Sequence, residues 1–388
     1  MNLMDAVGLT ALVYEPYAKG RTYIDPITHK VGAYQQETLA VGGFWSAQIG
    51  LNVRSLDASE WFTRGLGRQI DVHGQGSALA FRGFVNRIVL SLGAQSISRG
   101  PLMDVGNRVS AVYSPKDFSV SPPVTGSQTV TTISEDLTSQ GEYGVIEKVV
   151  NAGATTLTNA NKARDVFLLE SARPRTSGDL ALQPDQSQPL NLTLELLGNV
   201  HWLKAYIYNN YSSVIGLLST KLAAILDADP NAIFSSAAAS LEANAYALPL
   251  LEDQNRFAWD ILMELLALGN DVDDSRRLLG VYEDDQVVYA KAPTEVEYNF
   301  RVSDQKQAVF DVGGGLVLPW AVRPGKWLAV PDFLTGNVPI GTPLEEGPRN
   351  RFLESVKYIA PWTLNLSGGR TDRLAQMLAK ITYSGGFL

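Results

Sequence analysis

The sequence predicts an α+β fold that is mainly β, with two small β-barrels, a mixed α/β segment and a helical insertion. Three observations carry this. In 45–53, apolar Trp45, Ala47, Ile49, Leu51 and Val53 alternate with Ser46, Gln48, Gly50 and Asn52, the period of a strand with one wet face. In 190–197, Leu190, Leu192, Leu194 and Leu196 share one side and Asn191, Thr193 and Glu195 the other, which is the same signal. Between 217 and 269 the period changes. Phe257, Ile261, Leu265 and Leu268 fall at helical spacing, and Gly269 stands where a left-handed C-terminal residue belongs.

In chain order, strands are expected at 9–14, 42–53, 69–73, 78–90 and 109–113, with turn glycines between them. One helix interrupts this set: Ser55 or Asp57 can cap it, Glu60 follows Asp57 at capping-box spacing, and Trp61, Phe62 and Leu66 supply its apolar edge. These elements make 1–115 a first barrel. Pro115, Pro122, Pro123 and the Ser/Thr tract around them predict a linker over 116–134, and helices are expected at 135–150 and 159–171, so 116–189 is a linker with a mixed α/β segment. The strand at 190–197 and a hairpin at 278–290, followed by strands at 296–302, 308–312 and 326–330, assign 190–215 plus 278–335 to a second barrel. Helices expected at 221–227, 237–246 and 255–268 make 216–277 an insertion within it. The remainder, 336–388, reads as a loop and a helix at 372–382 with Leu374, Met377, Leu378 and Ile381 on one stripe.

Composition narrows the function. The 388 residues are 45% hydrophobic but only 19% charged, fewer charges than an average soluble domain carries, which suits a surface facing other protein. Lys and Arg number 32 against 40 Asp and Glu, a formal net charge of −8. With no long basic run, the counterion release that drives nucleic-acid binding has no source, so no specific nucleic-acid binding is expected. The first 17 residues hold Asp5, no Lys or Arg and no continuous apolar block, which reads as neither signal peptide nor anchor; no membrane association is expected. Cysteine is absent, which removes disulfides, thiolate nucleophiles and cysteine-ligated zinc together.

Motifs for chemistry are sparse. His29, His73 and His201 are far apart in sequence and form no HxxxH or HxH pair, so no metal site is expected from them. The acidic cluster Asp271, Asp273 and Asp274, with Glu283, Asp284 and Asp285 nearby, lacks the EF-hand pattern: Arg276 takes the place of the turn glycine and Tyr282 that of the bidentate Glu. It reads as solvated loop charge. Ser303 and Lys306 have SxxK spacing without the companion SDN and KTG motifs. Gly74-Gln-Gly76 and Gly325-Lys326 break off before completing a dinucleotide or phosphate loop, and Gly313-Gly-Gly315 reads as a turn. The seven tryptophans are spread through every unit as core or interface anchors rather than a ligand platform. No catalytic, cofactor-binding or metal residue is therefore assigned, no cofactor is expected, and the chain reads as a non-enzyme.

Several short segments carry a resemblance. Trp45-Ser-Ala-Gln-Ile49, Leu66-Gly-Arg-Gln-Ile70, Phe81-Arg-Gly-Phe-Val-Asn-Arg-Ile88 and Pro101-Leu-Met-Asp-Val-Gly-Asn-Arg-Val109 with Tyr113 resemble the first barrel of tail hub proteins of long-tailed bacteriophages. Within them Gly83 has a physical role, since a glycine inside a strand permits a bulge or a close backbone approach. Gly141-Glu-Tyr-Gly-Val-Ile-Glu-Lys148, Pro174, Trp259, Leu279-Gly-Val-Tyr282 and Trp320-Ala-Val-Arg-Pro-Gly-Lys-Trp327 also resemble hub segments, so the likeness runs over roughly the first 330 residues. It implies two tail-tube-like β-barrels per subunit and a homotrimer presenting a six-fold-like ring. It also implies a place in the virion tail, assembled in the host cytoplasm, between the tail-tube or distal tail protein ring and the tail-tip or fibre proteins. The acidic balance fits, because a ring that conducts DNA must not hold phosphate. A receptor- or carbohydrate-binding tail module and a glycan hydrolase acting on the cell wall, through a carboxylate pair, are the alternatives.

Overall fold

The computed structural model describes residues 3–93, 95–179, 190–210, 216–248, 253–269, 276–282, 285–302, 307–329 and 350–369. The mainly β, α+β class holds. The first sheet is built from β1 (Thr10–Tyr14), β2 (Tyr23–Pro26), β3 (Lys30–Leu39), β4 (Gly42–Asn52), β5 (Gln69–His73), β6 (Leu79–Leu92) and β7 (Gln95–Arg99), with α1 (Ser55–Arg64) between β4 and β5. Strands β2, β3 and β7 were not expected from the sequence.

A second group follows: β8 (Arg108–Asp117), α2 (Leu137–Tyr143), β9 (Glu147–Thr155), α3 (Leu157–Ser171) and β10 (Thr176–Asp179). Strands β8 and β9 are parallel, as a connection through a helix allows. Three short bridges, Val124–Thr125, Thr129–Val130 and Ser134–Glu135, run antiparallel along β8, so 116–134 is not a free linker but an edge of this sheet. The helix expected at 135–150 covers only α2. Gly144, at φ 85°, ends it, and Val145, Ile146, Val149 and Val150 favour the strand that follows.

Next come β11 (Leu190–Gly198), α4 (Leu218–Asp227) and α5 (Ala258–Ala267). The alternation that predicted β11 is realised: Leu192, Leu194 and Leu196 are buried in the main core. Its partners differ from the sequence-based assignment. It pairs with β4 through Leu192↔Leu51 to Leu197↔Ser46 and with β6 on its other side, so it completes the first sheet rather than a second one. Alternation fixes a strand's faces, not its neighbours. The helix expected at 237–246 is absent. Asn244 donates to the Gly269 carbonyl and to the Tyr289 hydroxyl, and accepts from Tyr246 N–H, side-chain bonds that outweigh alanine's helix propensity. Likewise α5 starts late, because 253–257 pair with Ile207–Asn210.

The last strands are β12 (Arg277–Val281), β13 (Val287–Lys291), β14 (Val296–Val302), β15 (Gln307–Asp311), β16 (Trp327–Ala329), β17 (Asn350–Ile359) and β18 (Thr363–Gly369). A small second core of Tyr298, Val309, Val322, Leu328, Leu353 and Val356 lies among them. Strand β17 joins the two cores: 355–359 pair with β3, while 350–352 pair with β16. Strand pairing runs β2–β1–β5–β6–β11–β4–β3–β17–β18, with branches from β4, β6 and β17. Among the described residues no ring of paired strands closes, so the expected barrels are seen as open, shared sheets. The helix expected at 372–382 lies outside the described residues. No helix among those described is long and apolar enough to cross a membrane.

Candidate functional site: a polar sheet face

Strand β5 and the first half of β6 are buried on both faces, but over the rest of the first sheet one face is core and the other is half-exposed. Across β17, β3, β4, β11 and β6 the register aligns the half-exposed positions in rows. Lys357 stands opposite Glu37, Glu37 opposite Ser46, and Ser46 opposite Leu197. The next row runs Ile359, Gln35, Gln48, Glu195, Arg87, and a third runs Gly50, Thr193, Val89. The inward neighbours, including Tyr34, Gln36, Ala47, Ile49, Leu194 and Ile88, are buried, so the pleat itself separates the faces.

Register places these residues, and bulges set the register. A shift between Glu37 and Thr38 in the β3–β4 pair, and another between Glu195 and Leu196 in the β11–β6 pair, bend the strands. Asn86, beside the second bulge, accepts from Met103 N–H at 3.1 Å. Side chains on this face leave a groove of about 280 Å³, lined by Gln35, Glu37, Ser46, Gln48, Asn86, Glu195 and Lys357 among others. Gln35 donates to Gln48 at 2.7 Å, and Arg87 approaches Glu195 at 3.9 Å. The four ionisable side chains of the rows, Lys357, Arg87, Glu37 and Glu195, balance in sign. Ser46, Gln35, Gln48 and Thr193 offer hydroxyl and amide groups that form weak, exchangeable hydrogen bonds, while the apolar Ile359, Leu197 and Val89 stand at the ends of the rows.

The carboxylates that burial pushes above the ordinary range lie elsewhere. Glu147 is raised by desolvation and accepts from Ile207 N–H, with Arg108 at 3.1 Å. Asp229 is raised the same way and accepts from the N–H groups of Asn231, Ile233 and Phe234. Both Asp229 oxygens hold backbone, those of Glu147 are divided between the Ile207 N–H and the Arg108 guanidinium, and neither residue lines the groove.

Among the described residues the three histidines join no group of side chains that could hold a metal ion. His201 is buried against Trp45, its ring donating to the Trp45 carbonyl at 3.1 Å. Burial and the nearby Lys204 charge lower its pKa to about 3, so it is neutral. Lys204 itself lies 4.2 Å over the Trp45 ring and 5.2 Å over that of Trp259. His73 Nδ1 faces the Ser77 carbonyl at 3.2 Å. Asp271, Asp273, Asp274, Glu283, Asp284, Ser303 and Lys306 lie outside the described residues; Asp285 is described, is part-buried, and accepts from Tyr17 and Asn199. Sequence reading had singled out none of Gln35, Glu37 or Lys357. Ser46, Gln48 and Glu195 were visible as the polar phase of their strands.

No family model matches the chain, and no curated protein matches it. Among solved structures, a tail protein from Neisseria meningitidis MC58 is similar over 91% of this chain and 92% of its own, at 8% identity and a TM-score of 0.39. The 43 kDa tail protein of prophage MuSo2 from Shewanella oneidensis is similar over 95% and 98%, at 8% identity and a TM-score of 0.43. At these scores, function has to be argued from the chain's own residues.

Proposed function

We propose that this chain is a structural subunit of a bacteriophage tail tip, a hub that closes a homotrimeric ring and turns its polar sheet face toward the channel. The observation that carries this is the sign-balanced array of Lys357, Glu37, Ser46, Gln35, Gln48, Glu195, Arg87 and Thr193 on one continuous face. A face meant for a permanent protein contact concentrates apolar and aromatic side chains in its centre. One meant to grip DNA concentrates Lys and Arg, whose release of counterions supplies the affinity. This face does neither, which suits a wall past which a polyanion slides.

In this reading the tail-tube or distal tail ring lies on one side and tip or fibre proteins on the other, and the chain conducts without making or breaking bonds. Mass photometry of the purified chain tests the ring directly. The expected species has three times the 42.1 kDa subunit mass; a stable monomer at all concentrations, with no partner in the particle, would overturn the proposal.

A further inference from the structure

Helix α3 shows to solvent what a helix usually hides. It packs on β8 and β9, and the side chains it buries are Ala160, Arg164 and Ser171. Arg164 is accommodated there because Asp165 meets its guanidinium at 2.8 Å, and the Thr132 carbonyl and hydroxyl accept from it at 2.7 and 2.9 Å. The apolar side chains go the other way: Val166 is 55% exposed and Leu169 83%. One exposed apolar residue is ordinary. Two at i, i+3 spacing are surface neighbours, and on a helix that hides an arginine they mark an outer face shaped for contact with protein.

Charge identifies the partner. Lys162, Val166 and Glu170 stand at i, i+4 and i+8 and so form one ridge of α3, with a cation toward its N-terminus and an anion toward its C-terminus. Both charged side chains are exposed, and among the described residues neither forms an ion pair within the chain. Their charged neighbours on the helix are already taken, Asp165 by Arg164 and Arg173, just past its end, by Glu142 at 3.3 Å. The free ridge is its own complement when reversed. In the commonest class of helix packing the i±4 ridges of two helices interdigitate. An antiparallel second α3 then lays Lys–Val–Glu beside Glu–Val–Lys, with Val166 against Val166 and the Lys162 of each copy against the Glu170 of the other. A parallel copy would set like charges side by side, at a cost.

We propose that the outer face of α3 is a two-fold contact between copies of this chain, centred on Val166. A two-fold contact uses the same patch on both sides, so one self-complementary ridge is enough to build it. Its footprint is a short helical stripe, which places it among the small, transient interfaces below about 1,200 Å², so it forms as concentration rises. Closure of a three-fold ring joins two unlike patches instead. The α3 contact does not rest on that ring: the base unit, whether one copy or three, pairs with a second base unit.

Analytical ultracentrifugation of the full-length chain over rising concentration reads this pairing as a doubling of mass. The parent is compared with Lys162→Glu, Glu170→Lys and both together, all at exposed positions that leave the core untouched. Each single change sets like charges against each other at both ends of the contact and is expected to weaken association by about tenfold or more. The double variant carries Glu–Val–Lys, which is self-complementary again. An equimolar mixture of the two single variants sets Glu–Val–Glu beside Lys–Val–Lys. Both are expected to associate within about threefold of the parent. A parent of constant mass at every concentration would overturn the contact and leave this face to a protein other than this chain. Single variants that associate like the parent, or losses that neither the double variant nor the mixture restores, would overturn it as well. Failure of the ring reads differently, as a base unit of one copy rather than three.

Discussion

Gly83 and Gly198 face each other across the β6–β11 pair, and each is pressed against backbone. A Cβ on Gly83 would lie 2.1 Å from the Leu197 carbonyl oxygen, and one on Gly198 would lie 1.6 Å from that of Phe44. Gly83→Ala is therefore expected to destabilise the fold by about 1–3 kcal/mol, as overpacking of a filled interior does. Denaturant midpoints compare the variant with the parent; an unchanged midpoint would show that β6 and β11 can separate freely here.

The His201 ring predicts an acid sensitivity with a definite sign. Its pKa falls from 6.5 to about 3 through burial and the Lys204 charge, so below pH 6.5 the unfolded chain binds a proton that the folded one refuses. Stability is lost as pH falls from about 6.5 toward 3, and at pH 5 the loss from this residue is about 2 kcal/mol. His201→Gln, which can still donate to the Trp45 carbonyl, should show a shallower decline between pH 7 and pH 5 in thermal melts. Parallel declines for parent and variant would contradict the assignment.

Asp229 organises the loop after α4 by accepting three backbone N–H groups, at 2.9, 2.8 and 3.1 Å. That loop presents Asn231, which grips Val145 through both its N–H and its carbonyl. Asp229→Ala orphans the three donors and is expected to cost at least about 2 kcal/mol. Faster amide exchange should appear at Val145 as well as in the loop. Exchange confined to the loop would show that Asn231 holds its position unaided.

On the polar face, Ser46→Lys with Gln48→Lys should leave the fold intact, because both positions are half-exposed. It should also create what the parent lacks, a cation cluster beside Arg87 and Lys357. DNA binding by the purified variant is expected to be salt-dependent, with the slope of log K against log salt steeper by about 0.9 for each phosphate newly contacted. Equal binding by parent and variant would remove the argument that charge balance on this face matters.

Much of this fold is legible in the sequence, and the illegible parts have identifiable causes. Strands β4 and β11 show clean alternation because each has one wet face and no bulge in their mutual pairing. Strand β3 hides itself: two register shifts against β4 break its period, and its inward positions include Gln36 and Thr38, at 3% and 1% exposure. Gln36 is tolerated inside because its amide donates to the Ala80 and Trp320 carbonyls. Strand β9 was masked by a helical pattern that Gly144 cuts short. Half of the polar face was readable from Ser46, Gln48, Thr193 and Glu195. Of the other half, Gln35 and Glu37 lie on β3, whose period is broken, Arg87 lies on β6, and Lys357 lies on β17, which meets β3 from more than 300 positions away in the chain; no local pattern encodes such a partner.

The central claim is that the face carrying Glu37, Ser46, Gln48 and Glu195 lines a channel in a three-fold ring. A cryo-EM reconstruction of the intact particle tests it most directly. The expected map shows three copies around the tail axis with these side chains at the lumen. A map in which this face points to bulk solvent, or in which the chain forms no ring, would contradict it.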